Sequence, residues 1–344
     1  MSSKINPGRF FEDYALGDVI AHAVPRTVSG GERALYHALY PARHALFSSD
    51  AFAQNCGLRA APLDDLITFH TVFGKTVPDI SLNAVANLGY AQGHWLAPVW
   101  PGDTLTSTSK VIGLKQNSAG KSGVVWVRTR GTNQSGTPVL EYVRWVMVRR
   151  RAPGDAPSPT IPDLAPVVDA ANLVLPKGLD FSDYDFALAG ERHRWDDYDI
   201  GEVIDHVDGV TIEEAEHMLA TRLWQNTAKV HFDATQREDG KRLIYGGHVI
   251  SLARALSFNG LANAQMIVGL NAGAHANPCF AGDTVRAWSE VLDKADVPAP
   301  GVGALRLRLV ATNDGRPAGA LRGADGKYLS GVLLDFDIWA LVPK

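Results

Sequence analysis

The sequence has little cysteine, no excess of basic residues and no long apolar run. Its 344 residues include two cysteines, Cys56 and Cys279, which stand far apart and without metal-ligand spacing. This scarcity favours a reducing compartment over a disulfide-bonded secreted fold. The net charge of -4 gives no basic footprint for nucleic acid, and no polybasic run favours a membrane surface. No stretch approaches the ~18 apolar residues of a membrane span, and residues 1–10 lack the apolar core of a signal peptide. We therefore expect a cytoplasmic protein with no nucleic-acid or membrane partner.

The motifs of several large enzyme classes are also missing. We find no Gly-rich phosphate loop with its lysine, no dinucleotide fingerprint and no nucleophile elbow. The 11 histidines do not fall at HExxH or other metal-ligand spacing. The sequence therefore predicts no metal site and no cofactor.

The sequence does contain a duplication. The segment Asp13–His22 reappears as Asp197–His206 about 184 residues later, and Pro101–Thr104 has its counterpart in Ala281–Thr284. Matches in one order and at a nearly constant offset indicate a repeated domain.

The two copies differ at a position that suits chemistry. Between the matches above, Ser48–Ala51 aligns with His231–Ala234, so Ser48 stands where the second copy has His231. A duplication that kept one histidine and lost the other favours one working site and one supporting half.

Proline marks the boundary between the copies. Four prolines lie between residues 151 and 165, namely Pro153, Pro157, Pro159 and Pro162. Because proline lacks an amide donor and fixes φ, this stretch is typical of an extended linker. We predict an N-terminal repeat over 1–150, a Pro-rich linker over 151–185 and a C-terminal repeat over 186–344.

Each copy is expected to form an α+β unit. The segments 63–74 and 247–261 are apolar nearly all round, as in buried helices. A helix before each of them has a candidate N-cap, Ser29 in the first copy and Thr211, with Glu214 completing a capping box, in the second. Residues typical of strands fill 104–114, 123–134, 138–148, 283–292, 304–313 and 328–341. Two buried helices with antiparallel strands, joined edge to edge, would give one long sheet.

Several motifs carry a resemblance to a known family. The segment Leu96–Leu105, the loop Asn226–Asp233 and the turn Tyr245–His248 resemble the strand signature, the catalytic loop and the start of the central helix of MaoC-like, R-specific enoyl-CoA hydratases. The resemblance implies a double hot-dog fold, in which each repeat wraps a curved antiparallel sheet around a central helix. It also implies an acyl-CoA substrate whose coenzyme A is no separate cofactor, and a homo-oligomer.

Within that family the resemblance narrows to one group. The runs Asn6–Tyr14, Phe73–Tyr90 and Tyr142–Val148 are similar to those of mesaconyl-CoA hydratases. This implies a carbon-oxygen lyase that hydrates mesaconyl-CoA reversibly to β-methylmalyl-CoA.

The resemblance also proposes catalytic residues. His231 matches the histidine of the family's catalytic loop and would activate water. Asn226 stands where the family has an aspartate; an amide can orient water but cannot take its proton. Either His231 acts alone or another carboxylate helps, and Asp233 is nearest in sequence, although a helix cap explains it equally well. The adjacent Asp64 and Asp65 are a weaker candidate pair.

The remaining candidates would bind the substrate. Backbone N–H groups of Gly247 and His248, at a helix N-terminus, suit the developing negative charge on the thioester oxygen. Arg43 or Arg222 would hold the free carboxylate of a dicarboxylyl group. Two alternatives stay open: an acyl-CoA thioesterase that uses Asp64 or Asp65, and an acyl-CoA binding protein without catalysis.

Overall fold

The computed structural model describes residues 4–152, 154–155 and 157–344. Pro153, one of the predicted linker prolines, lies outside the described residues. The strands in chain order are β1 (Val19–Thr27), β2 (Ala84–Trp95), β3 (Thr104–Gln116), β4 (Ser122–Thr132), β5 (Pro138–Arg149), β6 (Val203–Thr211), β7 (Met266–His275), β8 (Thr284–Asp296), β9 (Val302–Thr312) and β10 (Val332–Pro343).

These strands form one antiparallel sheet whose order repeats the duplication. The order is β1-β3-β4-β5-β2-β7-β10-β9-β8-β6, so the second half mirrors the first about the β2–β7 pair. At that joint Tyr90 lies opposite Gly273 and His94 opposite Gly269. The predicted α+β double hot-dog fold, with one long sheet, is thereby confirmed.

Two of the helices form the centre of the molecule. The helices are α1 (Gly30–Leu39), α2 (Ala45–Ser48), α3 (Asp50–Asn55), α4 (Asp65–Thr76), α5 (Phe186–Ala189), α6 (Glu214–Leu223), α7 (Lys229–Phe232), α8 (Gly246–Leu256) and α9 (Phe258–Leu261). Every residue of α4 is buried, and so is every residue of α8 after Gly246, as their apolar pattern predicts. His70 of α4 contacts Ser251 of α8 through Nε2 and Oγ at 2.8 Å. None of the helices in the described part of the chain is long and apolar enough to cross a membrane.

The predicted helix caps have different outcomes. Ser29 caps α1, and Glu32 completes a capping box there. Thr211 does not cap α6: it ends β6, its hydroxyl contacts that of Thr284 at 2.8 Å, and α6 begins at Glu214. The β6 strand therefore extends through the position that the spacing assigned to a cap.

The segment after residue 157 packs against the sheet. Thr160 pairs with Leu114 of β3, and the Val168 N–H donates to the Asn271 side chain at 2.7 Å. Leu173 and Phe181 are buried among residues of β7, β9 and β10. The chain between the copies therefore adds core, which composition alone did not predict. The domain limits at residues 150 and 186 stay predictions.

Candidate active site

A cavity of about 330 Å³ lies between the two repeats. Both halves of the chain line it: the turn after α4, β2 and β5 from the first, and α7, the start of α8 and the end of β7 from the second. Its polar lining residues are Ser81, Asn87, Tyr90, Arg144, Asn226, His231, Tyr245, His275, Asn277 and Cys279. No aspartate or glutamate of the described residues lines it.

His231 enters this cavity from α7. Its Nδ1 lies 2.8 Å from the Leu243 carbonyl oxygen, and because a carbonyl only accepts, Nδ1 must carry the proton. The other ring nitrogen, Nε2, has no partner among the described residues and keeps its lone pair. Burial lowers the pKa of His231, partly offset by the Leu243 hydrogen bond. The ring is therefore neutral at physiological pH, the form in which it can accept a proton from water.

Asn226 lines the same cavity and is fixed by its own loop. It is 2% exposed, and its Oδ1 accepts from the Ala228 N–H at 3.2 Å. The amide nitrogen has no protein partner in the described chain. The side chain can therefore donate to a ligand or water in the cavity.

The N-terminus of α8 supplies backbone donors, shifted by one residue from the prediction. Gly246 lines the cavity, whereas Gly247 and His248 do not. The His248 N–H donates to the Tyr245 carbonyl at 2.8 Å, and its ring nitrogens contact Tyr40 and Glu216. Gly246 is the first residue of α8, so its N–H has no partner inside the helix. Gly246 is therefore the residue of this helix start whose N–H can donate to a ligand in the cavity.

The residues at this helix start must be small. A Cβ on Gly246 would lie 2.4 Å from Cε1 of His275, and one on Gly247 would lie 2.3 Å from Cζ of Tyr245. Both distances are far below contact between carbon atoms. The two glycines let the rings of His275 and Tyr245 pack directly on the backbone that lines the cavity.

Asp233 does not reach the cavity. It is exposed, and its carboxylate accepts from the Thr235 N–H and from the side chains of Thr235 and Gln236. These hydrogen bonds lower the pKa of Asp233, which makes it a weaker base. The helix-cap alternative describes this residue, and the prediction of a base role has no geometric support.

The two predicted arginines also lie outside the cavity lining. The Arg43 guanidinium stands over the Phe258 ring, 4.3 Å from its centroid. Arg222 is exposed on α6. Their sequence positions near the catalytic loop and its counterpart did not predict where their side chains lie.

Asp64 and Asp65 serve the start of α4 instead. Asp64 caps the helix by accepting from the Leu66 N–H at 2.9 Å, and Asp65 accepts from the Ile267 N–H at 2.7 Å. Burial raises the pKa of both carboxyls, and the charge of Asp64 adds to this effect at Asp65. Neither lines the cavity.

The structure corrects the local alignment of the copies by one residue. Helices α2 and α7 both have four residues. Each ends with a hydrogen bond from the N–H of the next residue, Ser49 after α2 and Asp233 after α7, to the carbonyl of the first residue of the helix. His231 is the third residue of α7, and its counterpart in α2 is Phe47, which is 2% exposed. The first copy therefore has a core phenylalanine, rather than Ser48, in place of the histidine.

Most polar residues that line the cavity were not predicted as site residues, among them His275, Tyr90 and Arg144. His275 ends β7, and its Nε2 lies 3.1 Å from the Tyr90 hydroxyl. Burial, with a contribution from His231, lowers the pKa of His275 to about 4. Arg144 is fully buried in β5. A usable signal was present: residues 142, 144, 146 and 148 alternate onto one face of β5, and the other three are tyrosine or valine, so Arg144 shares its face with core residues and points inward.

Comparisons with known proteins agree with this architecture. A relative from Cereibacter sphaeroides named Mesaconyl-CoA hydratase is 76% identical over 342 residues, covering 99% of this chain and 100% of that protein. A relative from Chloroflexus aurantiacus named Beta-methylmalyl-CoA dehydratase is 58% identical and covers 100% of this chain and 99% of that protein.

Solved structures support the same fold. The crystal structure of a MaoC domain protein dehydratase from Chloroflexus aurantiacus superimposes with a TM-score of 0.96 at 57% identity, covering 100% of this chain and 99% of that one. A Mycobacterium tuberculosis protein described as having a double hotdog fold gives a TM-score of 0.77 at 24% identity, over 97% and 98% of the two chains. The family model described as Mesaconyl-CoA hydratase matches residues 2–320, and the chain therefore belongs to the mesaconyl-CoA hydratase family.

Proposed function

We propose that this protein is a hydro-lyase that hydrates mesaconyl-CoA reversibly to β-methylmalyl-CoA, with His231 as the group that handles the proton. One observation carries the assignment of His231: it lines a cavity that no carboxylate of the described residues lines, and the Nδ1 hydrogen bond to Leu243 leaves its Nε2 as the proton acceptor. The names of the two curated relatives support the substrate and product.

The hydration is a proton transfer coupled to addition. His231 Nε2 accepts a proton from water while the water oxygen bonds to Cβ, and the C=C electron pair moves onto the thioester oxygen. The Gly246 N–H and the α8 dipole stabilise that enolate oxygen. The imidazolium then returns a proton to Cα as the enolate collapses. One water is consumed and the histidine is regenerated.

Because no aspartate or glutamate of the described residues lines the cavity, the mechanism uses one acid-base group rather than two. Asn226 cannot take a proton, and Asp233 is exposed and bonded to Thr235. His231 therefore serves as both base and acid, and Asn226 orients the water through its free amide. A single group that delivers both parts of the water acts from one face, which gives syn addition.

A thioesterase would need a carboxylate aimed at the thioester carbonyl. Asp64 and Asp65 were the candidates for that role, and both are occupied at the start of α4. The geometry therefore favours hydration over hydrolysis.

The decisive experiment follows the absorbance of the enoyl thioester when the purified protein meets mesaconyl-CoA, with crotonyl-CoA and a thiol reagent in parallel. We expect rapid loss of the absorbance with mesaconyl-CoA, slow loss with crotonyl-CoA and no free thiol. Release of coenzyme A would establish a thioesterase, and no change with either thioester would leave a binding function. A homo-oligomer and a cytoplasmic location are part of the same proposal and follow from the family resemblance and the scarcity of cysteine.

A further inference from the structure

Arg144 is a buried cation without a counter-ion. It is 0% exposed, and its two terminal nitrogens donate to neutral hydroxyls, Ser81 Oγ at 2.9 Å and Thr76 Oγ1 at 2.7 Å. Its guanidinium lies 4.4 Å from the centroid of the Phe73 ring. No carboxylate in the described part of the chain forms an ion pair with it. Burying a charge in this way is costly unless an opposite charge joins it.

The polar groups around Arg144 are also incompletely paired. Among the described residues, Nε of Arg144 has no hydrogen-bond partner, and neither does the nitrogen or the oxygen of the Asn87 side chain. Arg144, Asn87 and Ser81 all line the cavity that contains His231. Buried polar atoms are nearly always hydrogen-bonded in folded proteins. Three unpaired atoms on one cavity wall therefore indicate a position prepared for a ligand.

The acidic residue in the same turn as Ser81 is already engaged as an ion-pair partner. Asp79 follows α4 within the turn Val77–Ser81, but its carboxylate contacts His22 at 2.9 Å and Arg9 at 3.2 Å. It does not line the cavity. The described part of the chain thus supplies no anion for Arg144, which leaves this place to a ligand.

We propose that Arg144, assisted by Asn87 and Ser81, binds the free carboxylate of a dicarboxylyl-CoA substrate. This inference rests on the proposed hydratase function and assigns the residue that makes it specific for a diacid. A planar guanidinium matches a carboxylate better than an ammonium does. The geometry gives the acyl group two fixed ends, the thioester at Gly246 of the second repeat and the carboxylate at Arg144 of the first.

The arrangement also orients the double bond. Tyr90 pairs with Arg144 across β2 and β5, and its hydroxyl contacts His275, whose ring packs on Gly246. The carboxylate position is thus linked through one tyrosine to the wall beside the thioester position. A substrate held at both ends places its C=C bond between them, where His231 lines the cavity.

The test compares two thioesters that differ only in the group Arg144 would bind. Fumaryl-CoA carries a carboxylate where crotonyl-CoA carries a methyl group. We expect Arg144→Met to lower kcat/KM for fumaryl-CoA by about 10²–10³-fold and for crotonyl-CoA by less than tenfold. Arg144→Lys should recover part of the fumaryl-CoA activity, because it keeps the charge and loses the fork. Arg222→Met is the matched control, since Arg222 is exposed and outside the cavity lining.

A binding measurement separates this inference from the proposed function. Titration calorimetry with succinyl-CoA and butyryl-CoA, which again differ by carboxylate against methyl, needs no turnover. We expect the native protein to prefer succinyl-CoA and Arg144→Met to lose that preference. Asn87→Leu provides a second variant that removes no buried charge, and it should lower the preference by about tenfold. A native protein that binds with this preference but hydrates neither enoyl thioester would refute the function and keep the carboxylate site. An equal loss for both members of each pair in Arg144→Met would overturn the proposal and leave Arg144 as a support for the turn at Ser81.

Discussion

His231 and Leu243 are joined by a hydrogen bond of 2.8 Å from the ring Nδ1–H to the main-chain carbonyl. This bond fixes the tautomer and leaves Nε2 as the proton acceptor in the cavity. In many enzymes a carboxylate orients the histidine base. Here the main-chain carbonyl of Leu243 does so. The site therefore depends on the loop that carries Leu243 as much as on the histidine.

His231 and Asp233 of the catalytic loop can be separated by substitution. His231→Gln should lower kcat for mesaconyl-CoA by about 10²–10⁴-fold, the usual contribution of a positioned acid-base group. Asp233→Asn is the control and should change kcat by less than about threefold, because the carboxylate only caps the next turn. Both variants are assayed by loss of the enoyl-thioester absorbance. Comparable losses in the two variants would return Asp233 to the mechanism.

The pH dependence of hydration follows from the His231 environment. Burial lowers the pKa of His231 from its usual 6.5, and hydration needs the neutral ring. The value of kcat/KM should therefore be constant through neutral pH and fall in acid, with a midpoint below 6.5. A pH series with crotonyl-CoA, which has no free carboxylate, excludes titration of the substrate itself. A rate that increases in acid would show that the imidazolium starts the reaction.

Buried histidines also make the fold acid-sensitive. Burial lowers the pKa of several histidines to about 3 or 4, namely His70, His206, His217 and His275. The unfolded chain protonates them near 6.5, so the stability that their neutral forms confer is present above that pH. It is lost as the pH falls toward 4. The slope should be about 1.4 kcal/mol per pH unit for each histidine.

His206 gives the cleanest check of that slope. It does not line the cavity, and it contacts the Asn259 carbonyl and the Ser289 hydroxyl. His206→Gln should reduce the pH dependence of the free energy of unfolding by about one proton between pH 6.5 and 4, as measured by urea denaturation. Equal slopes in the native protein and in His206→Gln would contradict the linkage.

The glycine that begins α8 provides a steric prediction. Gly246→Ala places a methyl group 2.4 Å from the His275 ring, which Tyr90 holds in place. We expect a loss of about 1–3 kcal/mol in stability and a severe loss of activity. Gly30→Ala is the matched control at the first residue of α1, where nothing lies within 4 Å of the new Cβ. Native activity in Gly246→Ala would show that the helix start can move without cost.

The sequence predicted the elements with strong local patterns. The six strands of Val, Thr, Trp and Tyr, and the two apolar helices, all exist with boundaries shifted by a few residues. The strands β1, β2, β6 and β7 were not predicted. β1 contains Pro25 and its residues are largely exposed, as in an edge strand. The first six residues of β7 are all buried, so the strand lacks the alternation that identifies a half-buried strand.

The site was predictable only where one residue carries a motif. His231 and Asn226 line the cavity because the loop and α7 bring both side chains inward. The alternation of β5 indicates that Arg144 points inward, but its partners could not be predicted, since Thr76 and Ser81 are more than sixty residues away in sequence. Arg43 does not line the cavity, because its alignment with the catalytic loop in the repeat does not determine the direction of its long side chain.

Asn226→Asp tests whether a carboxylate at position 226 repels the substrate or acts as a second base. Asn226→Asp keeps the oxygen that accepts from Ala228 and adds a negative charge to a cavity that no described aspartate or glutamate lines. That charge should repel the substrate carboxylate and raise KM for mesaconyl-CoA about tenfold more than for crotonyl-CoA. It should also raise the pKa of His231 and shift the acid limb of the pH profile upward. Faster turnover of mesaconyl-CoA at an unchanged KM would mean that the new carboxylate acts as a second base, as the aspartate of related enoyl-CoA hydratases is expected to do. In that case, repulsion of the substrate carboxylate would not explain why this chain has asparagine at position 226.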